Sequence, residues 1–205
     1  MVDYAPPLHD FDEYLTKDYD LEFVFPQLVM AMPFEDGTSL RLYQDIEKTC
    51  ESIAQFSQKD AETYRRIAER YKVLTEDFLG PATYEMAKPA FEQMVTLHAT
   101  DVGREITELT EKTPQTIINE LFENDRVRCL FLYLSCMWGL HHDLEGVSYL
   151  VPLLINRAVN YRLCVGGSHH LAHLFTKVLY RNKGMIISPV TLKRTPFAPA
   201  MGFSI

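Results

Sequence analysis

The sequence predicts an α+β fold: an N-terminal β-hairpin, a long helix-rich middle and a short C-terminal β-α-β piece. Three observations predict it. Alternating residues flank an Asp-Gly pair near the N-terminus, apolar residues recur at three- and four-residue spacing behind helix caps, and a double glycine joins a strand-like run to a helix-like one near the C-terminus.

"LEFVF" (21–25) reads as a short strand, and residues 28–43 read as two strands joined at Asp36-Gly37. Asp-Gly supplies the positive φ angles of a tight hairpin turn. In the second strand Leu40 and Leu42 alternate with Ser39, Arg41 and Tyr43, so one face is expected to be buried. Asp45 is placed to cap a helix running to about Phe56. Ser57 opens "SQKD", a capping-box pattern with Asp60 at its third helical position. Behind it Ala61, Tyr64, Ala68, Tyr71, Leu74 and Phe78 form one apolar stripe, expected to end at Gly80-Pro81. A further helix is expected over 84–97, kinked or delayed by Pro89. Thr113-Pro114 is a helix start, with proline where a missing N–H does no harm. The apolar run from Cys129 to Leu140 reads as a buried helix, and a second apolar helix is expected near 147–159 after the "HHDLEG" loop. In the tail, "MII" begins a strand, and Pro189, Pro196 and Pro199 restrict the remainder to edges and turns.

Composition limits the functions available. The chain has 205 residues, 47% hydrophobic and 23% charged, which is ordinary for a globular protein. A net charge of -8 and a pI near 5.4 argue against a nucleic-acid partner. The densest cationic group, Arg65, Arg66 and Arg70, lies among acids and reads as a solvated helix face. The four cysteines, Cys50, Cys129, Cys136 and Cys164, form no C-x-x-C pair and read as reduced, mostly buried thiols of a cytoplasmic protein. The N-terminus lacks a secretory pattern, and the longest apolar run is too short to span a bilayer. A peripheral membrane contact is left open.

Residues 162–185 carry the densest chemistry, and three readings apply. A dinucleotide cradle needs G-x-G-x-x-G, and only Gly166 and Gly167 stand here, without the acidic residue about 20 positions on. A metal site draws on His169 and His173 at i, i+4, but the glutamate of H-E-x-x-H is replaced by His170. A third ligand from His141, His142 or Asp143 would need the fold to bring it close, and no metal site is assigned. A structural joint accounts for every residue: strand, sharp glycine turn, Ser168 as cap, a helix burying Leu171, Leu174, Phe175, Val178 and Leu179, and Gly184 as its end.

"VGGSHHLAHLFTKVLYRNKGMIISPVTLKR" (165–194) resembles the joint of phytoene desaturase-like, FAD-dependent oxidoreductases, where the chain returns from the substrate domain to the flavin domain. "FEDGTSLRLYQDIEKTCESIAQFSQKDAETYRRI" (34–67) resembles that family's hairpin and "FS-x-x-D-A-x-x-Y" helix start, carried by Phe56, Ser57, Asp60, Ala61 and Tyr64. "GLHHDLEGVSYLVPLLI" (139–155) resembles the segment before the double glycine. The similarity runs over about residues 20 to 195, with three motifs in the family's order.

The resemblance implies that residues 1–165 form a substrate-domain-like region (hairpin 21–43, helices 45–159), and that 166–205 are part of the flavin-domain return. Relative to the family's two-domain α/β architecture the chain is incomplete: it lacks the G-x-G-x-x-G loop and the C-terminal flavin segment. By resemblance Gly166 and Gly167 match the joint, and Leu192 falls where the family places a backbone contact to FAD. No catalytic group carries over. The implied function is a portion of an FAD-dependent oxidoreductase acting on a lipophilic polyene or isoprenoid-type substrate. The chain alone is expected to lack activity, as a gene fragment, as one product of a broken reading frame, or as a split subunit that works with a complementary flavin-binding chain. The alternative is a stand-alone module that binds a lipophilic ligand or another protein without catalysis. The apolar runs 129–140 and 147–155, with Trp138 and Tyr149 as aromatic walls, line a substrate pocket or simply form core, and core is preferred. Without the missing segments, the last helix's apolar face and its strand edges are expected to stay exposed.

Overall fold

The computed structural model describes residues 14–84, 86, 89–137 and 139–186, and the fold is helix-rich α+β. A short helix, α1 (residues 14–19), precedes strand β1 (Phe23–Val24). Strands β2 (Leu28–Pro33) and β3 (Ser39–Tyr43) pair antiparallel, with Met32 opposite Leu40 and Pro33 opposite Ser39. The expected alternation holds, since Leu40 and Leu42 are buried and Arg41 is exposed. The turn differs from a two-residue hairpin. Only Gly37 takes a positive φ, of 82°, within a loop closed by Phe34 N–H donating to the Thr38 carbonyl at 2.9 Å. Asp36 instead uses its carboxylate, which accepts from the Thr38 N–H (3.0 Å) and hydroxyl (2.6 Å).

Helix α2 (Ile46–Ala54) begins at Asp45, whose carboxylate accepts from Lys48 N–H at 3.1 Å. It then closes the free edge of β3. Arg41 N–H donates to Ser52 Oγ (2.8 Å) and Tyr43 N–H to Thr49 Oγ1 (2.9 Å), so that edge offers no template to another strand.

Helix α3 (Gln58–Leu74) is capped by Ser57, which accepts from Asp60 N–H at 3.1 Å. The reciprocal half of the capping box is absent. The Asp60 carboxylate turns away from its own helix and accepts from Glu123 N–H (2.8 Å) and Asn124 N–H (2.9 Å). The apolar stripe is buried as expected up to Leu74. The helix does not end at Gly80-Pro81. A π-helical turn at Thr75–Leu79 leads into α4 (Gly80–Tyr84), and Gly80 N–H reaches the Thr75 carbonyl. The wider turn makes room for the Pro81 ring, which would otherwise meet the carbonyl four residues back.

Pro89 delays the next helix, α5, to Ala90–Ala99. A sharp corner then starts α6 (Asp101–Thr110), an element the periodicity does not reveal, with Thr100 accepting from Gly103 N–H at 3.0 Å. Helix α7 (Pro114–Leu121) starts at the Thr113 cap, and α8 (Asp125–Cys136) at Asn124. The second apolar helix is broken into three: α9 (Val151–Asn156) lies between 3-10 turns at Ser148–Leu150 and Arg157–Asn160. One main core joins these elements, drawing on Leu42 of β3, Ile53 of α2, Tyr64 of α3, Ile118 of α7, Phe131 of α8 and Ile155 of α9. The runs 129–140 and 147–155 thus supply core through Leu130, Phe131, Leu134, Val151 and Ile155. Tyr149 is half-buried, and Trp138 lies outside the described residues.

Arg126 pins the hairpin loop to the start of α8. Its guanidinium donates to Asp36 Oδ2 (2.6 Å) and Thr38 Oγ1 (2.9 Å), and lies over the Phe34 ring, 4.5 Å from its centroid. The Asp36 carboxyl is lowered to about 2 from 3.8, first by the Thr38 hydroxyl and next by Arg126. Because the folded value is depressed, the contribution of this pairing is full above the ordinary carboxylate value and fades as pH falls through about 2. Arg126→Ala is expected to move the Asp36 midpoint up toward 3.8 without reaching it, since Thr38 still donates. A carboxyl-carbon NMR titration checks this, and an unmoved midpoint would remove Arg126 from the account.

Candidate functional site

The C-terminal joint is built as strand, glycine turn and helix. Strand β4 (Leu163–Cys164) pairs antiparallel with β1, with Phe23 opposite Cys164 and Val24 opposite Leu163. Gly166 and Gly167 come next at φ 80° and 81°, a region costly for any side chain, and α10 (Gly167–Arg181) starts at once. A Cβ at Gly166 would lie 3.1 Å from that of His170, whereas one at Gly167 would meet nothing within 4 Å. The cap is Gly166 itself: Ser168 is one residue inside the helix and is exposed, so the expected serine cap does not form. The helix stops at Arg181, and Gly184 N–H donates back to the Leu179 carbonyl at 2.8 Å. Met185 and Ile186 carry no strand, and the rest of that expected strand, with Leu192 and the prolines, lies outside the described residues.

The apolar face of α10 is only partly covered. Leu174 is buried against Leu15 and Leu21, and Leu171 and Val178 are half-buried beside them. Phe175 and Leu179, expected in the core, are each 39% exposed. Val24, Phe25, Leu163, Val165 and Met185 are also exposed; Val24 and Leu163 pair on the face of the ladder opposite Phe23 and Cys164, which pack toward α10. A single ladder of two-residue strands and one small cluster cannot cover a fifteen-residue helix. A second exposed apolar group, Met86 with Phe91, Met94 and Val95, lies at and before α5.

Residues of the "FS-x-x-D-A-x-x-Y" motif have structural work. Phe56 packs edge-on against Phe34, Ser57 caps α3, Asp60 holds the start of α8, and Ala61 and Tyr64 are buried in the main core. The cysteines correct the expectation of buried thiols, since Cys129 is exposed and Cys136 and Cys164 are intermediate. Burial pushes the Cys50 and Cys136 thiols above the ordinary cysteine range, which disfavours the nucleophilic thiolate at either position. Arg65 and Arg70 pair with Glu47 and Glu105, as a solvated charged face should.

No family model matches the chain. Over 178 residues it is 38% identical to a limonene dehydrogenase subunit of Castellaniella defragrans. The chain is similar to part of a dehydrogenase. The matched stretch is 86% of this chain but 32% of that protein, so the chain spans about a third of its relative's length. Oxidoreductase is therefore the class to which the similarity relates it.

Two open clefts lie away from the double glycine. One, of about 580 Å³, runs between β3 and α2 and is lined by polar groups including Arg41, Lys48, Glu51 and Ser52. The other, of about 430 Å³, has Ile67, Tyr71, Leu109 and Ile117 as its floor and ion pairs Arg70–Glu105 and Lys112–Glu120 on its rim. Neither is lined by the apolar runs 129–140 and 147–155. Among the described residues no helix is long and apolar enough to cross a membrane.

Proposed function

We propose that this chain is the substrate-side portion of an FAD-dependent oxidoreductase of the phytoene desaturase-like kind, acting in its complete form on an apolar isoprenoid-type substrate. The similarity to the limonene dehydrogenase subunit carries the reading, because limonene is itself an apolar isoprenoid hydrocarbon. Under this reading residues 1–165 belong to the substrate side. The segment from 166 onward returns to a flavin-binding unit supplied by another segment or chain, and Gly166, Gly167 and Leu192 approach the cofactor.

The exposed face of α10 supports the reading. Phe175 and Leu179 on α10, and Val24 and Leu163 on the face of the β1–β4 ladder turned away from the Leu174 cluster, leave exposed apolar groups of the kind that a larger unit covers. The glycines also suit a close approach, since Gly167 presents bare backbone in a left-handed turn that side chains resist. The protein's part in such chemistry is to bind and orient an apolar substrate and keep water out, while the flavin supplies the redox step.

A chimera tests this. The 178 matched residues replace their counterparts in the limonene dehydrogenase subunit, and flavin content and limonene oxidation are measured. Expected is a folded chimera holding flavin at the level of the parent. A folded chimera with less flavin than the parent measured beside it, or a parent that holds none, would overturn the assignment, and stoichiometric FAD binding by the 205-residue chain alone would overturn the need for a second unit.

A further inference from the structure

We propose that His141, His142 and Asp143 form a site for one divalent transition-metal ion, zinc above all, that clips the loop between α8 and the Ser148–Leu150 turn. The ligand-capable atoms of these three side chains all lie within 4.8 Å of one another. His141 Nδ1 already contacts Asp143 Oδ1, and the two imidazole rings stack with centroids 5.1 Å apart at 18°. Two ligands of one tetrahedral zinc stand about 3.4 Å apart, given bonds of about 2.0–2.1 Å. Small rotations of exposed side chains therefore reach it, the wider separations closing and the His141 Nδ1–Asp143 Oδ1 contact opening. An ion held between Nδ1 and Oδ1 gives both atoms a partner. Two imidazoles and a carboxylate suit zinc better than calcium or magnesium, which prefer oxygen donors alone. Water completes the coordination.

The backbone holds the three residues in place. Gln115 N–H at the start of α7 donates to the His142 carbonyl at 2.9 Å, and Gly146 N–H donates to the Thr110 carbonyl at the end of α6 at 3.0 Å. Ser148 Oγ bonds the Leu109 carbonyl at 2.7 Å and also reaches that of Lys112. Gly139 and Gly146, at φ 96° and 83°, bracket the turn. Three anchors thus fix the loop before any ion arrives, which lowers the ordering cost of binding. His169 and His173 on α10 are not part of the group.

Isothermal titration of the full chain with zinc ion alone, without a histidine tag, tests the site. One equivalent is expected, with binding weakened at least tenfold in His141→Ala and in Asp143→Ala. All three side chains are exposed, so the substitutions leave the fold intact, which circular dichroism verifies. Cobalt in place of zinc should give the visible absorption of a tetrahedral site, lost in the same variants. Absence of binding overturns the proposal. So does binding that survives both variants and disappears in His169→Ala/His173→Ala, which would place the ion on α10.

Discussion

Phe131→Ala is expected to destabilise the protein by about 3–5 kcal/mol, the range for emptying an aromatic site in a core. Phe131 is fully buried and stacked between two rings: Phe122, at 4.6 Å and 8°, and Tyr64, at 5.3 Å and 28°. Its neighbours come from α3 and from the junction of α7 with α8, so three elements lose their common contact at once. Tyr64 and Phe122 are themselves fully buried, which leaves little freedom for collapse into the gap. Typical domains are stable by about 5–15 kcal/mol, so this one change removes a large fraction. Phe131→Leu keeps most of the volume and should cost about 1–1.5 kcal/mol. Urea unfolding followed by far-ultraviolet circular dichroism separates the two. A loss below about 1 kcal/mol for the alanine variant would mean that the surrounding helices close the site.

Asp60→Ala is expected to cost about 3 kcal/mol, because it strands two backbone N–H groups that now share one charged acceptor. The carboxylate is 1% exposed, and its two oxygens are divided between Glu123 and Asn124, one each. These two residues form the bend that aims α8 into the core. Asp60→Asn should fall between, since an amide offers one acceptor and turns its NH2 toward the other N–H. Ser57→Ala removes the cap of α3 and the bond from Ser57 Oγ to Glu123 Oε1 (3.1 Å) but leaves the Asp60 carboxylate in place, and should cost about 1 kcal/mol. Amide hydrogen exchange gives a specific readout: Glu123 and Asn124 should lose protection in Asp60→Ala more than in Ser57→Ala. Equal loss in both would show that the cap, not the carboxylate, holds the bend.

Most of the local structure was legible. The hairpin at Asp36-Gly37, the caps at Asp45, Ser57 and Thr113, and the stripe from Ala61 to Leu74 all formed where spacing placed them. Helix α6 was missed because its apolar residues, Val102, Ile106 and Leu109, sit among charges in one short run, although Thr100 with Asp101 was a readable start. The joint at Gly166-Gly167 was legible as a turn needing positive φ. Its covering was not: the stripe of α10 shows that the face is apolar, not how much of this chain reaches it. The His141–Asp143 group was visible as consecutive residues, but whether their ligand atoms converge depends on loop anchors at Thr110 and Gln115.

By itself, the sequence determined the elements whose signals lie within about four residues of one another: turns, caps, helical faces and the glycine joint. Only the tertiary structure decided which distant groups meet. Asp60 looks like half of a capping box until its carboxylate is offered two N–H groups 63 and 64 residues away, and a buried charged acceptor favours that pair over one N–H on its own helix. The same holds for β1 and β4, two short strands that gain a ladder only because the whole helical middle folds back and brings residue 164 beside residue 23. Local preference is settled by short-range sterics and hydrogen bonds, whereas burial and pairing are settled by how all the apolar faces can be covered together.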